Sequence, residues 1–129
     1  MPIHIVRLGS PRGPDEGPRI GTVRRPPRGV PKAEFATQNW YDTWFPLLAP
    51  SAELMKQGQA VETEAQWQAF AKAYRREMAE PAAAQSIALL ATLSTHSSFA
   101  VGCYCEHEAR CHRSLLRGLL LEAGAQVAP

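Results

Sequence analysis

The chain has no apolar run approaching the ~20 residues that a membrane span requires. Its opening, Met-Pro-Ile-His-Ile-Val, has no charged segment followed by a long apolar stretch, so no secretory leader is expected and the cytoplasm is the expected compartment. Cysteine is scarce, with three in 129 residues. An odd number, all within nine positions, argues against a disulfide framework and for reduced thiols or a metal site. Neither sign of charge dominates, the net charge being +2. A hydrophobic content of 45% and a charged content of 20% are globular values, so extended disorder is not expected. A chain of this length can bury one core, and a single domain over residues 1–129 is the expectation.

The small net charge conceals an asymmetry. Residues 1–32 hold seven cations against two acids, a net of +5, and residues 33–129 hold seven against ten, a net of −3. Six of the seven N-terminal cations are arginine, whose planar fork suits phosphate and carboxylate. A solvated basic edge and a binding surface for a small anion or for nucleic acid both remain open from this pattern.

Apolar spacing places a strand over Pro2–Leu8 and a short second one over Arg19–Val23, with a Gly/Pro loop over residues 9–18. The Pro/Arg stretch Arg24–Pro31 is loop, because proline removes donors and forces its neighbours extended. Phe35, Trp40 and Trp44 roughly follow helical spacing, up to the break at Pro46 and Pro50. Trp40, Tyr41, Trp44 and Phe45 are read either as core or as a stacking surface for bases. Ser51 caps a short turn through Met55 that Gly58 ends. Thr63-Glu-Ala-Gln66 matches a capping box, and Trp67, Phe70, Ala71, Tyr74 and Met78 recur at helical intervals. Pro81 opens a further helix with Ile87, Leu89, Leu90 and Leu93 as its apolar set. Phe99–Cys103 reads as a central buried strand, His112–Ala123 as a final helix closed by Gly124, and Gln126–Ala128 as a last short strand. This order predicts an α/β fold, a single layered domain with a short, mostly parallel sheet flanked by helices.

All the distinctive chemistry falls in one segment. Cys103 and Cys105 close the apolar strand, Glu106-His-Glu is polar, and Cys111-His-Arg-Ser opens the Leu-rich helix. A strand end, a thiol loop and a helix N-terminus together can hold an anion or activate a sulfur. Alternation along the strand points Cys103 and Cys105 the same way and Tyr104 the other. The candidate catalytic pair is Cys105 as nucleophile and His112 as acid or base. The candidate ligand-binding residues are Arg25, Arg28, Arg110, Cys111, Arg113 and Ser114. Arg113 opposes the helix dipole, so an acidic partner (Glu106 or Glu108) or a bound anion is expected beside it. The same region offers a second reading as a thiolate metal site, with Cys103, Cys105, Cys111 and His112 (or His107) as ligands. A third takes the cysteines as buried structural residues.

Several of these elements resemble one family across nearly the whole chain. They are Arg25-Pro-Pro-Arg-Gly-Val-Pro-Lys32, Trp44–Leu54, the helix Trp67–Met78, Gly102-Cys-Tyr-Cys-Glu106 and Arg110-Cys-His-Arg-Ser-Leu-Leu116. Together they resemble the DUF488 family of bacterial and archaeal proteins, with Cys-His-Arg-Ser before a Leu-rich helix as the specific element. Arg24-Arg-Pro-Pro-Arg-Gly-Val stands where the wider family often carries an acidic residue and a Trp. The family name carries no activity and leaves any cofactor unknown, so the function has to be argued from the site.

Overall fold

A computed structural model describes residues 2–129. Four strands form one all-parallel sheet: β1 (Ile3–Arg7), β2 (Arg19–Gly21), β3 (Thr43–Trp44) and β4 (Phe99–Cys103), in the order β1-β4-β2-β3. β4 is flanked by β1 and β2 and is buried at all five positions, which is why its sequence is an unbroken apolar run. Ile3 pairs with Phe99 and Arg7 with Cys103, while Gly21 pairs with Gly102, so three strands finish along one edge. Gly102 is required there, because a Cβ would lie 2.7 Å from the Leu8 side chain and 2.8 Å from the Val6 carbonyl oxygen. Val127 adds a single parallel bridge to Ile3 in place of the expected last strand.

Four helices supply the cover: α1 (Ala52–Gln59), α2 (Glu64–Met78), α3 (Pro81–Leu93) and α4 (His112–Glu122). Ser51 accepts from the Leu54 amide at the start of α1, and Thr63 with Gln66 forms a reciprocal capping box on α2. The apolar stripe Trp67, Phe70, Ala71, Tyr74 and Met78 is buried against Ile87 and Leu90 of α3, Leu115, Leu116 and Leu120 of α4, and Ile3, Phe99 and Val101 of the sheet. Each large side chain buried there contributes about 1.5–3 kcal/mol. A smaller cluster of Leu8, Val23, Tyr41, Cys103 and Cys111 sits at the carboxyl ends of the strands.

Three local expectations are corrected. The aromatic segment is not helical. It runs through a single 3-10 turn (Lys32–Glu34) and further turns into β3, and Asn39 takes φ 64°. A left-handed residue interrupts a helix, and Asn tolerates that conformation better than most. Phe35 and Trp40 pack on the smaller cluster instead, edge-on to Tyr41 and Tyr104, while Phe45 packs against the main core and Trp44 is exposed. Gly58 does not end α1, which continues to Gln59. Leu89 and Leu93 are 59% and 43% exposed, because α3 buries only the face carrying Ala83, Ile87, Leu90 and Ala91.

The β1–β2 connection, a loop without a helix, passes β4 and is held by Arg19. This side chain is fully buried, ion-paired with Glu16, and donates to the carbonyls of Ser10 (2.8 Å), Asn39 (2.7 Å) and Pro11 (3.2 Å). Arg12 pairs with Asp42 at 2.8 Å, and Arg24 donates to the carbonyls of Pro46, Ala49 and Pro50. Arg7 donates from Nε to the Tyr104 carbonyl at 3.3 Å, so four of the six N-terminal guanidinium groups serve the chain's own loops. No helix among the described residues is long and apolar enough to cross a membrane.

Candidate functional site

The thiol segment lies at the carboxyl end of β4. Cys103 shares the parity of Phe99 and Val101 and is 7% exposed. The strand stops there, and Tyr104 turns away to meet Trp40, its hydroxyl donating to the Arg25 carbonyl at 2.9 Å. The chain then returns, placing Cys105 Sγ 3.7 Å from Cys103 Sγ while leaving Cys105 exposed. After a 3-10 turn (Glu108–Arg110), Cys111 is the residue before α4 and is buried, as are His112 and Arg113 in its first turn.

The three sulfurs interact with one another. Hydrogen bonds from the Cys103 and Cys111 thiols pull the Cys105 thiol below its ordinary range. Burial opposes this and the Arg113 charge adds to it. Cys103 is driven the opposite way by its bonds to Cys105 and Cys111 and by burial, so the negative charge resides on Cys105.

His112 Nε2 lies 2.7 Å from the Thr22 carbonyl oxygen. A carbonyl only accepts, so Nε2 carries a proton. In the neutral ring Nδ1 presents its lone pair, and it lies 3.8 Å from Cys111 Sγ. The Tyr74 ring, centred 5.6 Å away, backs the imidazole, and the Tyr74 hydroxyl is anchored on the Leu48 carbonyl at 2.7 Å. Arg113, 3% exposed, donates from one terminal nitrogen to the Cys105 carbonyl at 2.7 Å. Its Nε is buried without a partner, and no carboxylate among the described residues pairs with it. Glu108, one of the two expected partners, pairs with Arg117 at 2.7 Å.

The structure thus brings Cys103, Cys105, Cys111, His112 and Arg113 together. Ser114 is adjacent, its hydroxyl donating to the Cys111 carbonyl at 2.9 Å. Arg110 is drawn elsewhere, to Glu64 at 2.7 Å and over the Trp67 ring. Arg25 and Arg28 are exposed on the Arg/Pro loop, whose Arg25 carbonyl accepts from the Tyr104 hydroxyl. His107 is exposed and outside the cluster of buried ligand atoms. Thr22 and Tyr74 orient the imidazole but carry no such signal in sequence. Thr22 acts through its backbone, and Tyr74 reads as one more core position.

Comparison with curated proteins gave no match, and comparison with solved structures gave none either. A family model described as the active DUF488-N3 subclade matches residues 3–124, from the first residue of β1 to the glycine that closes α4. The Cys-His-Arg-Ser helix start and the strand-end thiols lie within that span, and the chain belongs to the DUF488 family.

Proposed function

We propose that the protein binds a small anionic or phosphate-bearing ligand at the carboxyl edge of β4 and presents Cys105 to it as a nucleophile. The observation that carries this reading is Arg113, a buried guanidinium without a carboxylate partner and with Nε unpaired, fixed to the backbone of the one exposed thiol. A buried cation needs a counter-charge, which a bound anion or the Cys105 thiolate supplies. The amino end of α4 favours the same sign. Sites in open parallel sheets form beyond the carboxyl ends of the strands, where Cys105 lies. Arg28 on the neighbouring loop is a second clamp. His112 serves as acid or base by way of Cys111, the thiol its Nδ1 faces.

Two alkylating agents of similar size and opposite character test this. Iodoacetate, an anion, is expected to modify Cys105 faster than neutral iodoacetamide does, with inorganic phosphate protecting the thiol. Arg113→Lys, which keeps a charge but not the fork, should reduce the preference by about tenfold, equivalent to about 1.4 kcal/mol. Equal rates for the two reagents, with no protection by phosphate, would rule the anion site out.

A further inference from the structure

The cluster beneath Cys105 has a second capability. Cys103 Sγ, Cys111 Sγ and a ring nitrogen of His112 all lie within 4.8 Å of one another, and all three residues are buried. Cys105 lies outside that buried trio, on its solvent side, with its Sγ 3.7 Å from Cys103 Sγ. A tetrahedral zinc ion with Zn–S distances of about 2.3 Å has sulfur–sulfur edges of about 3.8 Å. The Cys103–Cys105 pair already has that separation, and the widest separation in the buried trio closes with a movement of about 1 Å.

We infer that Cys103, Cys105, Cys111 and His112 Nδ1 form a four-ligand site for a soft divalent cation, Zn²⁺. Three further observations support the assignment. The Thr22 carbonyl accepts the Nε2–H hydrogen bond, as the outer partner of a metal-bound imidazole generally does, and so leaves Nδ1 as the ligand atom. The Tyr74 ring and the surrounding core hold the imidazole in place. Charge also balances. Two positive charges on zinc against three thiolates leave one negative charge, and Arg113 is the buried cation beside it. Binding replaces the thiol protons, which pass to solvent, so uptake strengthens as pH rises. Between Cys105 and Cys111 the chain makes the 3-10 turn at Glu108–Arg110, which separates the strand-end thiols from the Cys-His pair that opens α4.

The inference does not depend on the anion reading, but it intersects with it. In the zinc form Cys105 is a ligand, so metal occupancy and attack by Cys105 exclude one another.

The test uses the full chain, reduced and stripped with chelator, then titrated with Zn²⁺ against a chromophoric competitor while accessible thiols are counted. One zinc per chain is expected, with Cys105, reactive without zinc, becoming protected. Cys105→Ser alters an exposed position and should leave the fold intact while lowering zinc affinity by about 10–100-fold. Cys111→Ser should lower it further. Failure to take up one equivalent, or uptake unchanged in Cys105→Ser, would overturn the proposal even if Cys111→Ser did not fold. The iodoacetate preference of the zinc-free protein reports on the anion reading separately.

Discussion

At the scale of single residues, buried charge has been handled in two ways. Arg19 is satisfied on all sides, by Glu16 and by loop carbonyls, and it organises the β1–β2 connection. Arg113 has one backbone carbonyl and no carboxylate, which marks the end of the sheet where a counter-charge belongs. The difference separates a structural arginine from one available for chemistry, and neither sequence neighbourhood announces it. Burial by itself would raise the Glu16 pKa, but bonds from Arg19 and the Gly13 amide, with the charges of Arg19 and Arg12, hold it below its ordinary 4.5. A carboxylate lowered in the fold contributes stability that is complete above its unfolded value and is lost as pH falls through its folded value. Glu16→Gln should therefore cost about 1–3 kcal/mol at pH 7 by urea denaturation. The gap between variant and wild type should narrow as pH falls below 4.5 and through the lowered folded value. A gap that stayed constant with pH would mean that the ionised form of Glu16 is not what the fold uses.

At the scale of elements, the helices were the most legible part of the chain, because their signals are local. The Thr63/Gln66 box lies on an exposed turn, so Thr63→Ala removes one cap with little else and should cost about 1 kcal/mol, read as a shift in the urea midpoint at unchanged slope. Gly118 lies within α4, where an added Cβ would meet nothing within 4 Å. Gly118→Ala should stabilise by about 0.5–1 kcal/mol, since glycine loses the most backbone freedom in a helix. A destabilised variant would show that α4 needs flexibility at that turn. The aromatic segment misled because its spacing imitates a helix. Phe35 and Trp40 instead pack around Tyr41, Tyr104 and the buried thiols, and one left-handed Asn39 redirects the chain.

At the scale of the molecule, β4 is the axis on which fold and site both depend. It has a partner on each side and no exposed residue, so its amides should exchange with deuterium most slowly of all the strands, and those of the two-residue edge strand β3 fastest. Comparable exchange in β3 and β4 would contradict the strand order. The sequence by itself determined the α/β class, the capped helices, the buried β4 run and the segment in which the thiols and Cys111-His-Arg-Ser lie, because apolar periodicity, capping residues and residue type are properties of neighbours along the chain. Only the tertiary structure decided that Cys103, Cys105, Cys111 and His112 converge, that Cys105 alone of the thiols faces solvent, that Thr22 sets the imidazole tautomer, and that Arg110 leaves for Glu64 while Arg113 stays buried. These depend on β2 and β4 lying side by side and on α4 starting over their ends, and such long-range placements cannot be inferred from the spacing of residues within one segment.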